Sequence, residues 1–235
     1  MEQTLAFDSS HVMTTVDFWF DPACPFAWLT SRWMLKVAEV RDIEISWRPM
    51  SLAILNESPE APPEMAEAFQ AMRRPLRMLV AVEADHGQQV LIDLYTELGT
   101  RMHGEDGLMR SVSTGPSENF IPAMVAGYSH IDEVLAAALE AQGLPQSYLE
   151  ASRDEALDLV VVESHESVPT AGLEAALIGV PTISIDGGPA FFGPVLTELP
   201  ADPGAFFDAF VTLVSDPGFF EIKRVAQRPT VATGL

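Results

Sequence analysis

The chain has 235 residues, a formal net charge of −21 and one cysteine, Cys24. Its 13 lysines and arginines oppose 34 acidic residues, which argues against nucleic acid or an anionic membrane as a partner, because both attract clustered positive charge. One cysteine excludes an internal disulfide framework and a zinc site built from cysteines. No run of 18 apolar residues and no basic segment ahead of an apolar stretch is present, so we expect a soluble, cytoplasmic protein.

The first patterned segment predicts a strand, a tight turn and a helix. Residues 16–20 are a β-type run that Asp21 and Pro22 end, and apolar residues then recur at helical spacing over residues 25–40. Residues 43–47 alternate apolar and polar side chains, as a second strand would. Two strands that flank one helix predict a βαβ unit with a parallel pair.

A long segment without strand signals follows. We expect helices over residues 64–85, 88–102, 129–142, 144–152 and 154–164, and a loop over residues 104–122. Ser129 with Asp132 predicts a capping box, and Gly143 predicts a helix stop. Residues 56–167 carry 20 acidic and 6 basic residues, so this segment holds most of the negative charge, which we expect on solvated helical faces.

The β signal returns near the C-terminus. Residues 181–185 and 190–192 are strand candidates joined by residues 186–188 (Asp-Gly-Gly), which predicts an antiparallel hairpin. A last helix, capped by Asp202, is expected over residues 203–215. The predicted domains are therefore a discontinuous one, residues 14–55 and 168–225, and a helical insertion, residues 56–167.

The candidate chemistry is concentrated at Cys24. The cysteine falls between the first strand and the first helix, and Pro25 suits the first helical position. Free backbone N–H groups and the positive end of the helix dipole would stabilise a thiolate there, lowering the pKa from about 8.5 into the range of about 3.5 to 7.5. The alternative is a buried cysteine that acts as a small hydrophobic residue.

Several motifs together resemble a known family. Cys-Pro-aromatic after a strand, the step Val180-Pro181-Thr182 ahead of the hairpin and the intervening helical block resemble the DsbA-like branch of the thioredoxin superfamily. The resemblance is closer to the actinobacterial mycothiol-dependent nitroreductase family, and it rests on residues 17–22, 46–57, 98–103, 191–196 and 217–221. It implies an α/β, thioredoxin-like fold with an α-helical insertion.

The same resemblance implies the parts of a site. Cys24 would be the nucleophile, and Pro181 would be a cis-proline that faces it. The backbone of Val180 and Thr182 would pair with a thiol substrate as an added strand. Asn56 aligns with an asparagine that the family places near the active site. Pro25 and Phe26, next to the cysteine, complete the candidate thiol- or substrate-binding residues.

The implied co-substrate is mycothiol or another low-molecular-weight thiol, acting on a small-molecule substrate. Neither a metal nor a nucleotide is indicated, because the five histidines occur singly and no glycine-rich phosphate motif is present. His103, beside Arg101, is predicted to lie at the surface or at a helix end, and an approach of both to an anionic substrate is the alternative. The sequence leaves open whether two copies of the chain form a homodimer.

The sequence departs from the family at two positions. Members with two active-site cysteines carry Cys-Pro-Trp-Cys, whereas this chain has Phe26 and Ala27, and Ala66 stands where a tyrosine is expected. Without a second cysteine, Cys24 depends on a thiol from solution. We favour a monothiol oxidoreductase that uses a low-molecular-weight thiol. A thiol-dependent transferase or isomerase acting on a hydrophobic small molecule and a non-catalytic thioredoxin-fold binding protein are the alternatives.

Overall fold

A computed structural model describes residues 13–58, 60, 62–109, 120–170, 178–226 and 231 of the chain. Its four-stranded sheet has the order β2-β1-β3-β4. The strands are β1 (Thr14–Phe20), β2 (Ile43–Pro49), β3 (Thr182–Ile185) and β4 (Phe191–Phe192).

The pairing of these strands agrees with the sequence patterns. β1 and β2 are parallel, with Phe18 opposite Trp47, as the predicted βαβ unit requires. β3 is antiparallel to both β1 and β4, which confirms the hairpin. Asp186 and Gly187 take φ values of 50° and 68° at its turn, a left-handed conformation that aspartate and glycine tolerate better than most residues.

Helices account for most of the rest of the described chain. They are α1 (Pro25–Ala38), α2 (Leu52–Leu55), α3 (Pro63–His86), α4 (Gln88–His103), α5 (Phe120–Tyr128), α6 (Ile131–Ala141), α7 (Tyr148–Ala151), α8 (Asp158–Glu166) and α9 (Pro203–Val214), with a 3₁₀ turn at Glu155–Leu157. None of the described helices is long and apolar enough to cross a membrane. The strand order β2-β1-β3-β4 and the helices α3 to α8, which lie between β2 and β3 in the chain, confirm the α/β, thioredoxin-like fold with a helical insertion.

The structure departs from the expected helices at three places, one of which carried no prediction. α2 was not expected, although the Ser51 hydroxyl caps it by accepting from the N–H of Ile54 at 3.2 Å. α5 begins within the expected loop of residues 104–122, of which residues 110–119 lie outside the described residues. Ser129 does not cap α6, because that helix begins after His130 and the Ser129 hydroxyl donates to the carbonyl of Ala126 instead.

Part of the charge of the helical block, by which we mean helices α3 to α8, is buried rather than solvated. Arg73 and Arg77 of α3 are almost inaccessible to water, and both bond to Asp158 of α8. Arg73 also bonds to Glu57, ahead of α3, at 2.6 Å. These contacts join the segment that follows α2 to two helices of the block.

The helical block meets α1 through one face of α4. Tyr95, Gly99 and His103 are spaced four residues apart, so they share a face of α4, and all three contact Trp28 of α1. A Cβ atom on Gly99 would lie 2.1 Å from Cε3 of Trp28. Glycine at position 99 therefore permits the close approach of α4 to the helix that begins at Cys24.

Candidate active site

Cys24 lies where the sequence predicted it, at the turn between β1 and α1. Its own N–H donates to the carbonyl of Asp21 at 2.9 Å, which closes the turn. Cys24 is the N-cap of α1, with extended backbone angles, and Pro25 follows at the first helical position. The N–H of Ala27 donates to Sγ of Cys24 at 3.4 Å. This hydrogen bond and the helix dipole both favour the thiolate form of the cysteine.

The segment ahead of β3 faces the cysteine. Sγ of Cys24 lies 3.5 Å from the carbonyl oxygen of Val180, to which the thiol donates. The Val180–Pro181 peptide bond is cis, and the Pro181 carbonyl accepts from the N–H of Gly193 at 2.8 Å. The structure thus brings together Cys24, Val180 and Pro181, three of the residues that the sequence assigned to the site.

The other predicted residues have different environments. Pro25 and Phe26 are half-buried next to the cysteine. Thr182 is fully buried, and its hydroxyl donates to the carbonyl of Gly179 at 2.8 Å. Asn56 is exposed at the C-terminal end of α2, where its amide donates to the carbonyl of Leu52 at 2.7 Å. The described contacts of Thr182 and Asn56 therefore hold their own segments in place.

Asp21 is a site residue that the sequence analysis treated only as a strand breaker. Its carboxylate is fully buried and accepts two backbone N–H groups, from Ala23 at 2.8 Å and from Leu52 at 2.7 Å. Asp21 thereby ties the active-site turn to the start of α2. Burial raises the pKa of Asp21 to about 7, although the two N–H groups oppose this shift.

His103 is a second site residue: it lies at a helix end, as one form of the prediction had it, but not at the surface. The ring ends α4 but is only 1% exposed, because α4 packs on α1 at this point. Its Nε2 lies 2.7 Å from the carbonyl oxygen of Pro22, within the active-site turn. Burial lowers the pKa of His103 to about 4, so the ring is neutral at pH 7. Arg101 pairs with Glu97 along the helix instead of approaching the cysteine.

Two tyrosine hydroxyls lie within electrostatic range of the cysteine. Tyr95 of α4 and Tyr128 of α5 are both fully buried, and burial raises the pKa of each. The charges of Cys24 and Asp21 raise both pKa values further. Arg32 and a side-chain hydrogen bond with Ser31 oppose the rise for Tyr95, whereas the Tyr128 hydroxyl has no hydrogen-bond partner among the described residues. Both tyrosines therefore stay neutral at pH 7.

The geometry can support nucleophilic attack by one sulfur and nothing that needs a second protein thiol. Ala27 occupies the position one helical turn after the cysteine, where the family resemblance implies a second cysteine in two-cysteine members. Any disulfide formed at Cys24 must therefore join it to another molecule. Cys24 is only 6% exposed, and the Val180–Pro181 segment lies against its sulfur.

Comparison with known proteins identifies the family. The sequence profile of the Rv2466c-like family, described as mycothiol-dependent nitroreductase Rv2466c, matches residues 23–224. Uncharacterized protein Rv2286c of Mycobacterium tuberculosis is 29% identical over 217 residues, which cover 90% of this chain and 82% of the relative. The probable DsbA oxidoreductase SCO1869 from Streptomyces coelicolor superimposes with a TM-score of 0.51 at 15% identity, covering 91% of this chain and 94% of that one. The chain belongs to the Rv2466c-like family, in agreement with the resemblance found in its sequence.

Proposed function

We propose that the protein is a thiol-dependent oxidoreductase in which Cys24 is the only protein nucleophile and a low-molecular-weight thiol, mycothiol, completes each cycle. The observation that carries the proposal is the position of Cys24. Its sulfur caps α1, accepts the N–H of Ala27 and faces the Val180–Pro181 segment. Membership of the Rv2466c-like family supports thiol-dependent chemistry. The name of the family supports mycothiol as the thiol.

The proposed cycle has two exchange steps. The Cys24 thiolate attacks one sulfur of a disulfide, forms a mixed disulfide and releases the other sulfur as a thiolate. A thiolate from solution then attacks the mixed disulfide, which restores the Cys24 thiolate and leaves a new disulfide between two small thiols. Neither step changes the total number of disulfides, so no other oxidant or reductant is needed.

Cys24 and Pro181 are the proposed catalytic residues. The backbone of Val180 would receive the thiol as an added strand, while Pro25 and Phe26 would border the groove. Thr182 and Asn56 would act indirectly, since their polar groups are engaged within the chain.

We also propose the domain division and the compartment. Residues 14–55 and 168–225 would form the thioredoxin-like domain, because they contain all of the described strands, and residues 56–167 would form the insertion. The chain would act in the cytoplasm, where a reducing environment suits a protein whose one cysteine must return to the thiol.

A mass measurement tests the proposed cycle. Incubation with the disulfide of mycothiol should give one adduct per chain, which stays in place until free thiol is added because Ala27 supplies no resolving sulfur. The Cys24→Ser variant should give no adduct. Absence of an adduct on the native chain would contradict nucleophilic catalysis. Loss of the adduct without added thiol would contradict a cycle that depends on a thiol from solution.

Product analysis separates this proposal from a transferase. An oxidoreductase releases the small thiol in a disulfide, whereas a transferase leaves the thiol bonded to carbon in its product. Detection of such a conjugate as the major product would replace the proposed reaction.

A further inference from the structure

The active-site turn is held by a side chain from the helical block. His103 at the end of α4 is 81 positions from Pro22 in the chain, yet its Nε2 lies 2.7 Å from the Pro22 carbonyl oxygen. A carbonyl only accepts hydrogen bonds, so Nε2 must carry the proton. Nδ1 of the same ring is buried and has no hydrogen-bond partner among the described residues. The bond to Pro22 is thus the polar contact that orients the ring.

Packing leaves the imidazole little freedom. The ring stacks on Trp28 with a centroid distance of 6.4 Å and an interplanar angle of 28°. Trp28 lies one turn into α1 and also meets Gly99 of α4. His103 therefore contacts both the turn that precedes Cys24 and α1, the helix that follows it. A neutral ring suits this position, because a charged one would be buried without a carboxylate partner.

The Pro22 carbonyl, to which His103 donates, belongs to the turn that positions the sulfur of Cys24. Pro22 lies between Asp21, whose carbonyl accepts the N–H of Cys24, and Ala23, whose N–H donates to the Asp21 carboxylate. If the donor were removed, the buried Pro22 carbonyl would be unsatisfied and would favour a rotated turn. Rotation of the turn would move the sulfur relative to the N–H of Ala27, which lies at 3.4 Å.

We propose that His103 is a positioning residue through which the helical block holds the Pro22 carbonyl and keeps the Cys24 sulfur at the N-terminus of α1. This inference rests on the proposed function, because it concerns the same nucleophile. The other titratable groups around this site are Asp21, the neutral Tyr95 and Tyr128, and Arg32, which lies 4.0 Å over the Trp28 ring. His103 differs from them because it bonds directly to the turn without carrying charge.

The test compares alkylation of Cys24 by iodoacetamide over a range of pH in three variants. His103→Leu removes the donor, whereas His103→Gln keeps an N–H that can reach the Pro22 carbonyl. Leu98→Ala, a buried neighbour on the same helix, is the control for lost stability alone. If His103→Leu does not fold, His103→Asn replaces it, because its shorter amide does not reach the carbonyl.

A positioning role predicts that removal of the donor raises the pH at which alkylation accelerates and lowers the rate at pH 7 about threefold or more, since less thiolate is present. The His103→Gln and Leu98→Ala variants should keep the profile of the native chain. A native profile in folded His103→Leu or His103→Asn would overturn the inference alone. No acceleration below about pH 8.5 in the native chain would show an ordinary thiol. The proposed function and this inference would then both fail.

Discussion

Replacing Ala27 with cysteine should convert the single-thiol site into one that forms an internal disulfide. Position 27 is three residues after Cys24, and its N–H already contacts the Cys24 sulfur. Residues three apart on a helix have Cβ atoms about 5 to 6 Å apart, and small backbone adjustments bring two sulfurs at this spacing within bonding reach. Ala27 is fully buried, so the new sulfur would be shielded while that of Cys24 would remain the attacking atom.

Counting thiols in denatured protein, before and after mild oxidation, measures this change. Oxidised Ala27→Cys should show no free thiol until it is reduced, and it should turn over a small disulfide with a dithiol reductant. Phe26→Cys is the matched control, because residues two apart do not face each other on a helix, and it should keep both thiols. Two free thiols in oxidised Ala27→Cys would contradict the placement of residues 24–27 at the start of a helix.

Asp21 and His103 should change the free energy of unfolding with pH in opposite directions. A rise in pH should weaken the contribution of Asp21 and strengthen that of His103. The Asp21 pKa rises from 3.8 to about 7 on folding, so its contribution is fully present below pH 3.8 and is lost as the pH rises to about 7. The His103 pKa falls from 6.5 to about 4, so its contribution is fully present above pH 6.5 and is lost as the pH falls. Between about pH 4 and 6.5 one contribution falls as the other rises, so their pH dependences nearly cancel.

Single variants should reveal each contribution. One pKa unit corresponds to about 1.4 kcal/mol, so the stability advantage of the native chain over Asp21→Asn should shrink by about 3 kcal/mol from pH 4 to 7. Its advantage over His103→Gln should instead grow by about 3 kcal/mol from pH 4 to 6.5. Urea unfolding at several pH values measures both differences, and Asp106→Asn, at an exposed aspartate, controls for the chemical change. Parallel pH profiles for all four chains would contradict the burial of these two groups.

Local sequence signals predicted the parts of the fold that local chemistry decides. Pro25 after Cys24 predicted the start of α1, and the structure places Cys24 at its N-cap. Asp202 predicted the start of α9, and its carboxylate accepts the N–H of Ala205 at 2.9 Å. Asp186 and Gly187 predicted the turn of the hairpin, where both have positive φ. Each of these signals involves residues within a few positions of one another, so the sequence alone can show them.

Short or uniformly apolar helices escaped prediction for a physical reason. α2 has four residues, which is too few to show a helical period. α5 combines Pro122 and Gly127 with apolar residues around its circumference, so it has no polar face to contrast with a buried one. Periodicity is informative only where one side of an element meets water.

The supporting residues of the site escaped prediction because their contacts are long-range. Asp21 binds the N–H of Leu52, 31 positions away, and His103 binds the carbonyl of Pro22, 81 positions away. Aspartate before proline is a common turn signal, and a histidine at the end of a helix is an ordinary helix-end residue. Only the packing of the helical block against α1 shows that both residues hold the turn that carries Cys24.

The rate of Cys24 alkylation as a function of pH tests the central claim most directly. The chain has one cysteine, so the measurement needs no correction for other thiols. A sulfur held at the start of α1 by the N–H of Ala27 should ionise with an inflection below about pH 7.5. An inflection above about pH 8.5 would show an ordinary or buried thiol and would contradict the assignment of Cys24 as the nucleophile.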